Sequence, residues 1–392
     1  MTKKLGKIKD IIIRFKDLTT IGIANAIAST IAGIFWLYMA ALLGTEHYGE
    51  ISYFIAIAGV ASSVCFLGAG NTITVYTSKG EKIHSTLFFI CGISSSITAI
   101  ILFSIFLNSG VSVYVISYTI FGLVTAEILG QKLYRMYSKY LIMQKILMVT
   151  LSITLYYLIG PQGVILGYAL SYLLYSIRLY KVFKDTKINF SLIKPRLGFM
   201  TSSYMLDLSK TFSAYVDKLI IGPIFGFALL GNYQLGIQFL SLLSILPGIV
   251  YQYILPHDAS GNANRKLKKL TIFVSVILAV LGILLAPVIL PVLFPKFIKA
   301  VEVIQIVSLA IIPSTINLTY ISKFLGNENS KIVMIGSGIY LLTQITSIFI
   351  LGQYFGVYGI SAAIVLATSS ESIFLIIINK ITDKKLGKNF SQ

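Results

Sequence analysis

Long apolar runs follow one another along the chain from Thr19 to Lys380, and only short polar segments separate them. A run of about 20 apolar residues is long enough, as a helix, to cross the ~30 Å hydrocarbon core of a bilayer. None of the polar segments is long enough to form a separate soluble core. The pattern predicts an all-α, polytopic membrane protein of about twelve transmembrane helices.

The predicted spans fall into an N-terminal six-helix bundle over 18–183 and a C-terminal six-helix bundle over 199–380. A cytoplasmic linker, 184–198, joins the bundles, and tails over 1–17 and 381–392 flank them. The individual spans are predicted at residues 18–43, 50–77, 84–107, 111–131, 140–160, 163–183, 199–225, 229–255, 270–294, 300–322, 331–351 and 356–379.

Two glycine motifs indicate an internal repeat. Leu43-Gly44-x-x-x-x-Gly49, after the first span, resembles Phe225-Gly226-x-x-x-x-Gly231, after the seventh. Because each half holds an even number of spans, both halves insert with the same orientation, which predicts a pseudo-two-fold axis along the membrane normal. We expect the transport pathway to lie in the cleft between the halves.

Composition agrees with lipid as the solvent, because 56% of the residues are hydrophobic and 12% are charged, against about a quarter charged in soluble proteins. The net charge of +18 could indicate a nucleic-acid partner. However, the basic residues concentrate in alternate loops and in the tails, whereas nucleic acid binds one continuous basic face. The alternation excludes nucleic acid and places both termini in the cytoplasm of a multi-pass cell-membrane protein.

The basic segment from Met1 to Lys16 lacks a short apolar core followed by a cleavage site. We therefore expect a retained cytoplasmic tail that rests on anionic membrane lipids.

The seventh span carries four ionisable residues, Asp207, Lys210, Asp217 and Lys218, which at ~100° per residue share an arc of about 100°. An ionisable group that faces lipid costs several kcal/mol, so these side chains should face protein or water. One interpretation is that they line a transport cavity, with the lysines binding an anionic group such as a pyrophosphate. The alternative is internal pairing, for instance between Asp207 and Lys210 at i,i+3.

Two lone carboxylates, Glu127 in the fourth span and Glu371 in the twelfth, are candidates for ion coupling, because burial favours the protonated form of a carboxylate. The alternative for each is a side chain that is hydrogen-bonded near the cytoplasmic face, and for Glu127 the sequence favours this alternative.

Enzymatic chemistry has little support. His47, His84 and His257 lie in separate loops without metal-ligand spacing, and the chain has no Walker-type loop for ATP. The short outward loops could not house a catalytic domain. We expect no catalytic residues, no metal site and no cofactor.

The stretch Asp217-Lys218-Leu219-Ile220-Ile221-Gly222, with Gly226, Gly231 and Tyr233 after it, resembles the seventh-helix signature of the oligosaccharide flippase, or polysaccharide biosynthesis, family. Leu43-Gly44 and Tyr48-Gly49, followed by Gly68 and Gly70, are similar to a first-half motif of that family. The family is part of the multidrug, oligosaccharidyl-lipid and polysaccharide exporter superfamily.

The resemblance implies a secondary transporter that moves a polyprenyl-linked oligosaccharide from the inner to the outer leaflet by alternating access. It also implies glycosyltransferases and a polymerase of the same pathway as partners. Related lipid II flippases place several arginines in the first half of the cavity, but this chain has no arginine between Arg14 and Arg135. The difference argues against lipid II as the substrate. Two alternatives are a drug or cation antiporter of the same superfamily and a membrane-embedded glycan enzyme.

Overall fold

The computed structural model describes residues 2–185, 188–259, 264–327 and 329–389, and these residues form fourteen α-helices and three short 3-10 helices. The α-helices are α1 (Thr2–Phe66), α2 (Ala69–Ser78), α3 (His84–Phe106), α4 (Ser109–Gly130), α5 (Tyr134–Ile159), α6 (Gln162–Tyr172), α7 (Ile177–Asp185), α8 (Leu197–Phe225), α9 (Phe227–Leu243), α10 (Ile245–Ala259), α11 (Arg265–Leu293), α12 (Ala300–Ser308), α13 (Ile311–Gly326) and α14 (Ser330–Asn389). The 3-10 helices are Leu173–Ser176, Phe190–Leu192 and Lys194–Arg196.

Each of the twelve predicted spans coincides with one helix or with two or more consecutive helices. Within the described ranges, eight helices are long and apolar enough to cross a membrane, and α9 with α10, bent by 46°, forms a ninth. Helix α14 contains two predicted spans, separated by non-helical backbone at Gly356. Helix α1 contains the first predicted span and residues 50–66 of the second, separated by non-helical backbone at Gly44. Helix α8 covers the remaining predicted span, 199–225, but is not among these apolar helices. The prediction of an all-α, multi-pass membrane protein is confirmed.

The second predicted span, 50–77, is not one continuous helix. It breaks between α1 and α2, where Leu67 and Gly68 adopt positive φ angles of 49° and 73°. A Cβ added at Gly68 would overlap the backbone carbonyl of Met200. The break therefore depends on a close backbone contact with a residue far along the chain, which the local sequence does not reveal.

The chain forms two compact units whose bounds differ from the predicted bundles. Unit 1 comprises 1–36 and 54–211, and unit 2 comprises 37–53 and 212–392. The segment 37–53 of the first predicted bundle thus belongs to unit 2, and the division between the units also falls inside α8.

Backbone contact between the two glycine motifs explains why 37–53 belongs to unit 2. A Cβ added at Gly49 would overlap the carbonyl oxygen of Phe227, and one added at Gly231 would overlap that of Thr45. The two helix starts that follow Gly44 and Gly226 therefore pack on each other at these glycines. Tyr48, which is fully buried, packs edge-on against Phe297 at 5.9 Å between ring centroids. The repeated motif serves close helix packing.

The predicted linker, 184–198, is attached to unit 1. Lys184 and Asp185 still belong to α7, whereas 186–187 lie outside the described residues. The backbone N–H of Asn189 donates to Thr86 Oγ1 at 2.8 Å. The Arg196 guanidinium forms an ion pair with Glu81 and lies 4.8 Å from the centre of the Tyr76 ring.

The glycine contact can be tested with Gly231→Ala. Because the added methyl group would meet the Thr45 backbone, which cannot move as a side chain can, we expect a loss of about 1–3 kcal/mol in stability. The thermal midpoint of the purified protein at a fixed scan rate is the measurement. Gly338→Ala is the matched control, since nothing lies within 4 Å of its added Cβ and a helical alanine is favourable. Equal midpoints for the two variants would contradict the packing argument.

Candidate functional site

Helix α8 carries a group of polar side chains on the part that belongs to unit 1. Asp207 accepts a hydrogen bond from Asn71 Nδ2 at 3.3 Å, and Thr211 Oγ1 donates to Ser63 Oγ at 3.0 Å. Lys210, one turn beyond Asp207, is exposed. We call Ser63, Asn71, Asp207, Lys210 and Thr211 the helix-eight cluster.

The ion pair that the spacing of Asp207 and Lys210 allows is not formed. No salt bridge within 4.0 Å involves Lys210 among the side chains that the structure describes. Asp207 is half-buried, with Asn71 as its hydrogen-bond donor. Lys210 is thus an exposed cation near the middle of a helix of 29 residues.

Asp217 and Lys218, two turns further along α8, are in a different environment. Both are buried within unit 2 and they pair with each other, with Lys218 Nζ 3.1 Å from Asp217 Oδ1. Lys218 also donates to the carbonyl oxygen of Ala214, and Tyr233 donates its hydroxyl hydrogen to Asp217 Oδ2 at 3.0 Å. The four charged residues of the seventh span therefore do not form one exposed stripe. For Asp217 and Lys218, the structure agrees with the second interpretation, in which charged residues of the span pair with each other.

The buried Asp217 is one end of a polar network in unit 2. Tyr233 and Tyr340 both hydrogen-bond with the side chain of Gln344. Tyr340 also interacts electrostatically with Asp217 and with Glu371. The network links α8 and α9 to both halves of α14.

Glu371 lies at the other end of this network and is 8% exposed. Its Oε2 accepts a hydrogen bond from Asn317 Nδ2 at 2.9 Å, and Asn317 Oδ1 accepts one from Ser372 at 2.5 Å. Its hydrogen-bond donor is thus a neutral amide.

Glu127 is in a contrasting environment. Arg178 Nη2 lies 2.8 Å from one carboxylate oxygen of Glu127 and 2.9 Å from the other, and both side chains are buried in unit 1. Arg178 also donates to Gln131 Oε1 at 3.3 Å. This geometry agrees with a structural role for Glu127, because both of its carboxylate oxygens are held by the Arg178 guanidinium.

A comparison of the buried carboxylates separates Glu371 from the others. Asp258, like Glu127 and Asp217, has a basic partner, since Lys268 Nζ lies 2.5 Å from its Oδ2. Among the described residues, Glu371 is the buried carboxylate without an ion pair within 4.0 Å.

Sequence reasoning missed the partners of these carboxylates. Arg178 lies inside the sixth predicted span, so its charge could have been matched to the lone Glu127 of the fourth. Asn317 and Gln344 are neutral residues in apolar spans and give no comparable signal. The described residues contain no group of three or more metal-ligating side chains.

Comparisons with known proteins agree on the fold. No family model matches the sequence, and no curated protein matches it. Several solved structures match closely in three dimensions. The lipid II flippase MurJ in an inward closed conformation has a TM-score of 0.76 at 16% identity, over 92% of this chain and 87% of that one.

Two further structures come from the multidrug branch and from an archaeal relative. A MATE transporter in complex with MaL6 has a TM-score of 0.64 at 14% identity, over 95% of this chain and 97% of that one. A MOP superfamily transporter from Pyrococcus furiosus has a TM-score of 0.62 at 14% identity, over 95% of this chain and 96% of that one. This chain has the same fold as these transporters. The resemblance inferred from the glycine motifs is confirmed at the level of the fold.

The buried pair Glu127–Arg178 makes a non-additive prediction. Glu127→Ala leaves the Arg178 guanidinium buried without a counter-charge, which should cost about 3–5 kcal/mol of stability. Replacing both residues with apolar side chains, Glu127→Leu with Arg178→Met, removes both charges and should recover most of the loss. Folded yield and thermal midpoint in detergent measure the effect. A double variant that is less stable than both single variants would refute a mainly structural role.

Proposed function

We propose that the protein is a secondary transporter of the cytoplasmic membrane that flips a lipid-linked oligosaccharide from the inner to the outer leaflet by alternating access. Both termini are then cytoplasmic, in agreement with the orientation predicted from the distribution of basic loops. The observation that carries the proposal is the environment of Lys210, an accessible cation without an ion pair among the described residues, near the middle of a membrane-length helix.

The helix-eight cluster suits the headgroup of such a substrate. A sugar linked to a polyprenyl carrier through phosphate presents negative charge beside many hydroxyl groups. Lys210 offers a mobile point charge for the phosphate. Asn71, Asp207 and Thr211 offer donors and acceptors for hydroxyl groups, which bind through hydrogen bonds of fixed direction.

Asp217 and Lys218 have a supporting part in this proposal. Because they pair with each other and with Tyr233, they hold the second half of α8 against α9. Of the four charged residues of α8, we therefore assign contact with the substrate to Asp207 and Lys210. Glycosyltransferases and a polymerase would act before and after the flipping step.

Lys210→Ala should reduce flipping by about tenfold or more while expression stays normal, because the charge-assisted contact with the phosphate is lost. Lys210→Arg should retain most of the activity. The assay uses vesicles that contain the protein and a fluorescent polyprenyl-linked oligosaccharide, with reduction of the probe in the outer leaflet as the readout. Lys299→Ala, at an exposed lysine directly before the first residue of α12, is the control. Full activity of Lys210→Ala would reject the assignment.

Glu371 is the residue that we propose for ion coupling. A buried carboxylate beside a neutral amide can bind and release a proton without disrupting an ion pair, whereas Glu127, Asp217 and Asp258 would each lose a counter-charge interaction. Tyr340 and Gln344 extend the hydrogen-bonding groups from Glu371 towards Asp217 and α8. This network offers a physical connection between the protonation of Glu371 and the position of α8.

Glu371→Gln should uncouple transport. The amide keeps the shape of the side chain and can still accept a hydrogen bond from Asn317, but it cannot carry a proton. We expect probe accumulation driven by a proton gradient to be lost, while exchange across the membrane without a gradient continues. Accumulation at the wild-type level in Glu371→Gln vesicles would exclude Glu371 as the coupling group.

A multidrug or cation antiporter is the second candidate, because the fold also matches MATE transporters. Gene deletion separates the two functions. Build-up of lipid-linked glycan in the inner leaflet supports the flippase, whereas unchanged glycans with new drug sensitivity support the antiporter.

A further inference from the structure

Unit 1 contains a groove of about 440 Å³ between α3, α4 and α7, away from the helix-eight cluster. Its wall on α3 runs from Phe88 to Ile100 and its wall on α4 from Ile116 to Leu123, while Leu179 and Phe183 of α7 close one end. Ile93, Ile97 and Ile100 line the groove and are exposed, so the groove opens on the outer surface of the helices.

The groove offers its occupant no free hydroxyl donor. Three of its lining residues carry hydroxyl groups, and each donates its hydrogen to a carbonyl of its own helix. Ser95 and Ser96 donate to Gly92 O at 3.0 and 2.8 Å, and Thr119 donates to Val115 O at 2.7 Å. The other lining residues are Gly92 and apolar side chains. A surface of this kind favours hydrocarbon.

The length of the groove matches one leaflet of a bilayer. From Phe88 to Ile100 α3 rises about 18 Å, at ~1.5 Å per residue. One leaflet contributes about 15 Å of hydrocarbon, half of the ~30 Å core. An acyl chain of an ordinary phospholipid fits this length, whereas a polyprenyl chain is much longer.

Basic residues surround one end of the groove. The Ser85 hydroxyl at the start of α3 donates to Val182 O of α7 at 2.9 Å, so these two helix ends meet. Lys82, just before α3, and Lys181 and Lys184 of α7 are all exposed near this junction. The aromatic pairs Phe88–Phe183 and Phe89–Phe190, with ring centroids 6.5 and 6.3 Å apart, lie at this end of the groove.

We propose that this groove binds one anionic glycerophospholipid of the leaflet that faces the basic loops. An acyl chain occupies the groove, and the headgroup phosphate contacts Lys82, Lys181 and Lys184. The charge of the lysines complements an anionic headgroup at the membrane surface, and the aromatic side chains lie at the depth where aromatic rings favour the interface. The lipid is a component of the membrane and not the transported substrate.

Gly92→Leu tests the acyl-chain site. Nothing lies within 4 Å of a Cβ added at Gly92, so the larger side chain fills the groove without a backbone clash. The full-length protein is purified, delipidated and titrated with phosphatidylglycerol or with phosphatidylcholine of the same acyl chains, and native mass spectrometry counts the bound lipid. We expect wild type to bind one phosphatidylglycerol about tenfold more tightly than phosphatidylcholine, and Gly92→Leu to lose this binding.

Matched variants control for the added side chain and for the loss of positive charge. Gly338→Leu adds the same side chain at another helical glycine with empty space around it, and should bind lipid as wild type does. Ser96→Leu fills the groove from the next turn of α3 and serves as a second test if Gly92→Leu does not fold. Removing the three lysines together, with Lys82→Gln, Lys181→Gln and Lys184→Gln, should abolish the preference for phosphatidylglycerol. The same change at Arg265, Lys266 and Lys269 should leave it intact.

Three results would overturn the proposal. The first is unchanged lipid binding in folded Gly92→Leu or Ser96→Leu. The second is equal affinity of wild type for the two phospholipids. The third is displacement of phosphatidylglycerol by an equimolar polyprenyl phosphate, together with loss of flipping in Gly92→Leu, which would make the groove a substrate site. The binding readout does not require flipping, so it is independent of the function proposed above.

Discussion

The interior of a bilayer contains no water to solvate a charged side chain, so the protein itself must supply the compensating group. Three of the four buried acidic residues that the structure describes follow that constraint, with Arg178, Lys218 and Lys268 each placed beside a carboxylate. Ion pairs of this kind fix the relative positions of the helices that carry them, because separating the partners leaves an uncompensated charge. Charged groups outside such pairs are the ones free to meet a substrate or a proton. Lys210 and Glu371 are in that position among the described residues.

Close backbone contact is the second constraint. Without a hydrophobic force between helices in lipid, helices associate through tight packing, which small residues permit. Gly49 and Gly231 provide such contact in unit 2, and Gly68 provides it against Met200 in unit 1. The same requirement explains why the glycine motifs recur in the two halves of the sequence: each marks a place where one helix passes directly over the backbone of another.

The sequence predicts most of the helices well because the thickness of the bilayer sets their length. Helix α8 has the length of a span, but its polar and charged residues leave it outside the set of helices apolar enough to cross a membrane on composition alone. It does not predict the break at Leu67 and Gly68 or the transfer of 37–53 to unit 2, since both depend on residues more than a hundred positions away. The Glu127–Arg178 pair could have been predicted from the sequence, because two lone charges in apolar segments need partners. The Asp217–Lys218 pair could not, because adjacent residues on a helix point in different directions. The neutral partner of Glu371, Asn317, cannot be identified from the pattern of charge or hydropathy.

The assignment of 37–53 to unit 2 has a consequence for biosynthesis. Roughly 160 residues separate this segment from Phe212, where the rest of its unit begins. At 5–20 residues per second, the ribosome needs about 8–30 s to make that stretch. During this interval the segment has already entered the membrane, and the glycine surface around Gly49 has no Phe227 to pack against. The insertion machinery or the surrounding lipid must therefore shield it. Unit 2 completes its fold only after the residues that follow Phe212 have been synthesised.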